Sequence, residues 1–160
     1  MAVDVLTETV IRCPPREVAE YAANPDNAPA WYANIKAVEW KTSPPAAVGS
    51  RIAFVAHFLG RRLAYTYEIV AFVPGERLVM KTAEGPFPME TSYTWESTPD
   101  GHTRMMLRNR GTPAGFSRWV APFMARAMRR ANQKDLACLK AILEDGPARS
   151  EQSRPTSGCS

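Results

Sequence analysis

The sequence predicts an α+β protein in which one seven-stranded antiparallel sheet packs against a long terminal helix. Strand-like segments follow one another from Val3 to Arg110. Most of them are separated only by short turns rich in glycine and proline, as in an antiparallel meander. The amphipathic segment Phe116–Leu143 comes after them. It is the only predicted helix long enough to cover the apolar face of such a sheet.

Two short helices are predicted between the first and second strands. Prolines end the alternating strand Val3–Arg12, and Pro15 is a favourable first residue for a helix. Asn24–Asn27 ends that helix and begins a second, which carries Trp31 and Tyr32. The remaining predicted strands are Ile35–Lys41, Arg51–Phe58, Arg62–Val73, Arg77–Thr82, Met89–Glu96 and Thr103–Arg110.

Alternation of polar and apolar residues assigns an inward face to several strands. The inward set is Ile52, Phe54, Ala56, Phe58, Tyr65, Tyr67, Ile69, Met89, Thr91, Tyr93, Trp95, Met105, Leu107 and Asn109. Such a face either fills a core or lines a cavity, and periodicity does not separate the two, because both need apolar inward side chains. The methionines favour a cavity, since their flexible side chains make an adaptable lining.

The terminal helix has a methionine-rich apolar face that contains one acid. The residues on this arc are Val120, Met124, Ala127, Met128, Ala131, Cys138 and Ile142. Asp135 lies within the arc, Asn132 lies at its edge, and arginines occupy the opposite side. Pro122 predicts a kink after a short first turn. The pattern indicates a helix that closes a pocket over the sheet.

Length and charge exclude several classes of protein. The 160 residues predict one domain, residues 1–145, and a disordered tail, residues 146–160, which has no hydrophobic periodicity. The net charge of +4 comes with no nucleic-acid-binding motif and no aromatics among the arginines, so no nucleic-acid partner is predicted. No apolar run reaches the roughly 20 residues of a membrane span.

The cysteine and histidine content predicts a cytoplasmic protein without a metal or cofactor. The three cysteines are an odd number, and the N-terminus has no signal-peptide pattern. Two histidines and no cysteine pair at metal-binding spacing are too few for a conventional metal site. The oligomeric state, monomer or homodimer, stays open.

Several segments together carry a family resemblance. They are Val10–Val18, Asn24–Trp31, Val48–Ser50, Tyr67–Leu78, Tyr93–Trp95 with Asp100–Gly101, and Asp135–Glu144. In this order and spacing, from Val5 to Glu144, the chain resembles the START-like, birch-pollen-allergen-like (SRPBCC) superfamily, in particular its bacterial polyketide cyclase/dehydrase-type members. The resemblance implies a helix-grip fold, with a curved sheet wrapped around the last helix. It also implies a cavity for an apolar or aromatic small molecule.

The inward residues and the helix supply the candidate site. The predicted ligand-binding residues are Trp31, Phe54, Tyr65, Tyr67, Met89, Thr91, Tyr93, Trp95, Leu107, Asn109, Met124, Met128 and Asn132. The candidate catalytic residues are Asp135, Tyr65 and Tyr67. Desolvation would raise the pKa of Asp135 and suit it to act as a base. A structural acid, bonded to a neighbour, is the alternative that the sequence favours.

Three functions fit these residues. The first is a binding module that encloses a lipid, polyketide or aromatic ligand. The second is a cyclase or dehydratase that shapes such a ligand and moves protons with the polar residues of the cavity. The third is an interaction protein that docks an acidic partner on its arginine-rich helix face. The absence of a clear acid/base pair in the sequence favours the first.

Overall fold

The computed structural model describes residues 3–58, 60–85, 88–111 and 121–145, and confirms the seven-stranded antiparallel sheet and the long terminal helix. The elements are β1 Val3–Ile11, α1 Pro15–Ala22, α2 Ala28–Trp31, β2 Ile35–Trp40, β3 Arg51–Phe58, β4 Arg61–Val73, β5 Arg77–Glu84, β6 Met89–Ser97, β7 Thr103–Gly111 and α3 Ala121–Asp145. Eight of the fourteen strand boundaries match the predicted ones, and the other six differ by one or two residues.

Strands β2 to β7 form a meander, and β1 is added at its β7 edge. The strand order is β1-β7-β6-β5-β4-β3-β2, so β1 pairs with the last strand, in a register that runs from Val3 opposite Gly111 to Ile11 opposite Thr103. Register shifts interrupt the β2–β3 pair and, twice, the β4–β5 pair. Such bulges bend a strand and increase its twist. They give the sheet the curvature it needs to wrap around a helix.

The two short helices cover one end of the sheet. Pro15 is the first residue of α1, which buries Val18 and Ala22. A single 3-10 turn, Pro25–Asn27, follows α1, and the side chain of Asn24 caps it by accepting a hydrogen bond from the backbone of Asp26. Helix α2 then buries Trp31, which is one of the largest fully buried side chains. These helices form the end wall of the interior.

Helix α3 belongs to two separate apolar clusters. Its second half places Leu136 and Leu139 in the main core, and both are fully buried. Its first half packs Met124 against Val3 and Val5 of β1 in a smaller cluster. The predicted apolar arc omitted Leu136 and Leu139. It was too narrow because the curved sheet and the short helices enclose α3 on more than one side.

The end of α3 is tied to the end of β1. Lys140 donates hydrogen bonds to the carbonyl oxygen of Val10, at 2.8 Å, and to Glu144. Arg12 reaches the same Glu144 carboxylate at 2.7 Å. The polar side of the predicted helix is therefore partly used to hold the helix on the sheet.

Some predictions fall on parts of the chain that the structure does not describe. The predicted start of the helix, Phe116–Val120, and the kink ahead of Pro122 are outside the described residues, as is the tail, residues 146–160. Pro122 is the second residue of α3 as described. Among the described helices, none is long and apolar enough to cross a membrane.

Candidate functional site

A cavity of about 160 Å³ lies between the concave face of the sheet and helix α3. Side chains of β3, β4 and β5 form its floor, among them Phe54, Ile69 and Met80. Met124 and Met128 of α3 form the opposite wall, and the turn after α1 closes one end. Most of the wall is apolar, so the few polar groups that reach it decide which orientation a bound molecule takes.

Most of the predicted binding residues lie on this cavity. They are Phe54, Tyr65, Tyr67, Met89, Thr91, Tyr93, Asn109, Met124, Met128 and Asn132. The candidate catalytic residues Asp135, Tyr65 and Tyr67 also line it. Residues from four strands and the terminal helix are thus brought together at one place.

Trp31, Trp95 and Leu107 do not line the cavity, so their predicted place in it is corrected. Trp31 and Leu107 are fully buried within the packed core. Trp95 faces inward as predicted, but at its position α1 packs on the sheet, and Trp95 borders a separate groove beside that helix. The inward face of a strand is longer than the cavity. Inward side chains beyond the cavity pack against other parts of the core.

Further lining residues were not assigned to the cavity from the sequence. Leu63 has the same strand parity as Tyr65 and Tyr67, so the alternation already contained its signal. Met80 and Thr82 share a face of β5, for which no face had been assigned. Asn34 lies in the turn before β2, and turn residues carry no periodic signal.

A hydrogen-bonded array forms the polar part of the sheet wall. The hydroxyl of Thr91 donates to Oδ1 of Asn109 at 2.8 Å. Thr91 has only one hydroxyl hydrogen, so the 3.1 Å contact between Thr91 and Tyr67 is a hydrogen bond that the Tyr67 hydroxyl donates. Burial raises the pKa of Tyr67, while its hydrogen bonds to Thr91 and Thr82 lower it. Tyr67 is therefore neutral at physiological pH and fixed in direction.

A second pair of hydroxyls joins the α2 end to the sheet. The hydroxyl oxygens of Tyr32 and Tyr93 are 2.6 Å apart. The ring of Tyr32 also packs on Trp31, with centroids 4.0 Å apart. Burial raises the pKa of both tyrosines, so both stay protonated. Tyr32 lines the cavity and holds its end wall to β6.

Asp135 and Asn132 present polar atoms from α3. Asp135 is 2% exposed, and its Oδ1 accepts a hydrogen bond from the backbone N–H of Ala33 at 3.0 Å. Burial raises the pKa of Asp135 to about 6, although the Ala33 hydrogen bond and the charge of Lys134 lower it. The side chain of Asn132 is 5% exposed, and its Nδ2 has no hydrogen-bond partner among the described residues.

The sequence matches one protein family over almost its whole length. The model of the family described as "Polyketide cyclase / dehydrase and lipid transport" matches residues 2–144. The chain belongs to this family. The resemblance to the START-like superfamily, read from the sequence, is thereby confirmed. No match was found among curated proteins.

Solved structures share the fold of this polyketide cyclase/dehydrase-type chain at low sequence identity. A protein from Thermus thermophilus has a TM-score of 0.76 at 18% identity, covering 89% of this chain and 99% of its own. The Zhui aromatase/cyclase from Streptomyces sp. R1128 has a TM-score of 0.75 at 15% identity, covering 96% and 100%. Ginseng major latex-like protein 151 from Panax ginseng has a TM-score of 0.68 at 13% identity, covering 88% and 96%. These likenesses establish the helix-grip fold.

The chemistry that the site offers is binding by shape, hydrogen bonding and one titratable acid. The tyrosines act as hydrogen-bond donors or weak acids rather than bases, because their pKa values are raised. Asp135 is the one carboxyl among the described lining residues, and its pKa of about 6 suits proton transfer near neutral pH. No group of three or more metal-ligating side chains occurs in the described part of the chain.

Proposed function

We propose that the protein binds an apolar small molecule carrying a hydrogen-bond-accepting oxygen, in the cavity between the sheet and α3. The observation that carries this proposal is Nδ2 of Asn132, a buried donor at the cavity wall without a partner among the described residues. A buried donor left without an acceptor costs about 1–3 kcal/mol. An oxygen on a bound ligand would remove that cost, which favours the occupied state.

The size of the cavity limits what binds without rearrangement. An apolar cavity of about 150 Å³ holds a single benzene ring, and this one is about 160 Å³. Ligand pockets generally span about 300–1,000 Å³. Lipids and polyketides, the ligand types suggested by the family description, therefore require the cavity to widen. Met124 and Met128 are the most adaptable part of the wall.

Phenol and toluene form a matched pair of probes for this proposal. Both fit a single-ring cavity, and phenol carries a hydroxyl group where toluene carries a methyl group of similar size. We expect phenol to bind about five- to tenfold more tightly, because a typical net hydrogen bond is worth about 1 kcal/mol. Asn132→Leu should remove this preference, while Gln133→Leu, an exposed neighbour, should keep it. Isothermal titration calorimetry measures the affinities of both probes for each protein.

Two results would count against the binding proposal. If neither probe binds the unmodified protein, the cavity is not a ligand site. If Asn132→Leu retains the preference for phenol, Asn132 does not receive the oxygen. Native mass spectrometry of the purified protein adds an independent check, because a co-purified apolar molecule would appear as a discrete mass increment.

A second candidate function is a cyclase or dehydratase acting on a polyketide-like ligand. Asp135 favours it, since a lining carboxyl with a pKa of about 6 is poised to take a proton near neutral pH. The aromatase/cyclase among the structural neighbours points to the same reaction class. In this function, Tyr65 would donate a proton or a hydrogen bond to a carbonyl oxygen of the ligand. Tyr67 would do the same only after its hydroxyl turns away from Thr91.

The enzyme candidate is tested by turnover of a poly-β-carbonyl substrate analogue. We expect the rate to rise with pH through about 6 in the unmodified protein. Asp135→Asn should abolish turnover yet leave the affinity for phenol unchanged. Equal turnover by the two proteins would remove Asp135 as the base and leave binding as the function.

A further inference from the structure

The outward face of α3 carries a concentrated positive charge. Arg126, Arg129, Arg130 and Lys134 are all exposed. Asp135 is the only acid between Ala121 and Leu143, and it is buried on the opposite side of the helix. This helix face therefore attracts anions between Arg126 and Lys134, in the second to fourth turns of α3.

The helix arginines differ from Arg108 and Arg110 of β7 in having no acidic partner among the described residues. On the outer face of β7, Arg108 is 2.6 Å from Asp4, and Arg110 is 2.7 Å from Glu90. In contrast, Arg126, Arg129 and Arg130 form no salt bridge with any described residue. The charge of the helix face is left for an external partner.

An exposed aromatic side chain accompanies these charges. Phe123 is 62% exposed, and it is the only aromatic among the exposed large hydrophobic side chains of the described residues. It is three residues from Arg126 and seven from Arg130, so the three share one helix face. Cationic side chains bind anionic headgroups, and aromatic side chains are favoured at the level of the headgroups.

The same helix segment forms the wall of the ligand cavity. Met124 and Met128 lie on the inner side of the turns that expose Phe123 and Arg126, and both line the cavity. A surface that contacts Phe123 thus comes within one helix diameter of the cavity.

We propose that Phe123 and the exposed cations Arg126, Arg129, Arg130 and Lys134 form a docking surface for an anionic lipid bilayer. The positive charge matches the negative headgroups, and Phe123 enters the boundary between headgroups and acyl chains. The surface is one convex helix face. It offers no concave seat for a folded acidic protein, and its aromatic favours a lipid interface over a purely ionic partner.

Vesicle sedimentation tests the proposal with the full-length protein. We expect binding to vesicles of phosphatidylcholine with phosphatidylglycerol, and little binding to phosphatidylcholine alone. Each cation near an anionic surface contributes about 1 kcal/mol, so Arg126→Gln with Arg130→Gln should weaken partitioning about 25-fold. Phe123→Ala should weaken it about tenfold and leave its salt dependence unchanged.

Matched controls separate this surface from general charge. Arg77→Gln with Arg104→Gln removes the same net charge from exposed positions on the sheet, and it should change partitioning less than about twofold. Circular dichroism of each variant checks that the fold is intact.

Three outcomes would overturn the docking surface. Equal binding to both kinds of vesicle, or to neither, removes the role of anionic lipid. An equal loss in the sheet control shows that only net charge matters. Tighter salt-dependent binding to double-stranded DNA than to the anionic vesicles assigns the surface to nucleic acid. None of these results depends on whether phenol binds in the cavity.

Discussion

Asp135 shows how one buried carboxyl can be both structural and reactive. Its hydrogen bond from Ala33 ties α3 to the turn after α2, as the structural interpretation of the sequence requires. Its place on the cavity wall and its raised pKa give it the properties of a base as well. The two roles differ in what they need. The hydrogen bond needs only an oxygen, whereas proton transfer needs a titratable group.

The pKa of Asp135 predicts a pH-dependent stability. This pKa is raised from 3.8 to about 6 on folding. Between these values the folded protein holds a proton that the unfolded chain has lost, so this group's contribution to the free energy of unfolding falls as pH rises from about 4 to about 6. The fall is about 3 kcal/mol, since one pH unit is worth about 1.4 kcal/mol. This loss of stability is complete above about pH 7.

Asp135→Asn isolates this contribution, because Asn keeps an oxygen for the N–H of Ala33 and does not titrate. Chemical denaturation at several pH values should show the variant gaining stability over the unmodified protein as pH rises through this window. Asp4, Glu90 and Glu144 have lowered pKa values and act in the opposite direction, but their effect cancels in the comparison. A constant difference between the two proteins would show that the Asp135 pKa is not raised.

Among the elements, α3 is divided by function along its length. Its second half is part of the main core through Leu136 and Leu139. Its first half contacts a small cluster through Met124 and borders the cavity. A wider state of the cavity would therefore be reached by movement of the first half, because movement of the second half would expose the core.

A pair of leucine substitutions tests whether the second half of α3 is a fixed part of the fold. Leu139→Ala should lower the free energy of unfolding by about 3 kcal/mol, because it leaves a cavity in the core. Leu6→Ala, at a half-exposed site on β1, should change it by less than about 0.5 kcal/mol. Urea denaturation measures both. Similar small effects would mean that the whole helix is a detachable lid.

The strands were easier to predict from the sequence than the site. Alternation and turn residues define the strands and their inward faces, and they placed Phe54, Tyr67 and Asn109 on the correct side. Alternation does not tell where along a strand packing gives way to empty space, which is why Trp95 was assigned to the cavity. Hydrogen bonds between distant elements, such as Asp135 with Ala33, have no local signal. Only the folded structure shows that Nδ2 of Asn132 has no hydrogen-bond partner among the described residues.

At the scale of the whole molecule, the cavity is smaller than the ligands that the family description suggests. It holds about one ring, although the sheet and α3 enclose it from both sides. Binding of a larger molecule requires a wider state of the cavity. The free energy needed to reach that state lowers the apparent affinity for the ligand.

Ligand size should therefore change the kinetics of binding. In stopped-flow measurements, we expect the observed rate for phenol to rise linearly with concentration. For a fluorescent long-chain fatty acid it should reach a plateau, set by the rate at which the cavity widens. A linear dependence for both ligands, with similar slopes, would show that the described cavity is already wide enough or widens without a barrier.

The pairing of the first strand with the last affects synthesis of the protein. Val3 finds its partner Gly111 only after more than a hundred further residues have been made. At about 5–20 residues per second, β1 spends roughly 5–20 seconds without its neighbour. During that time the apolar side chains of Val3 and Val5 are uncovered, and the sheet remains open at one edge. Met124 of α3, which packs against both valines, is made later still. Folding on the ribosome is therefore completed only after β7 and α3 have emerged, and until then the unpaired strand favours aggregation of the nascent chain.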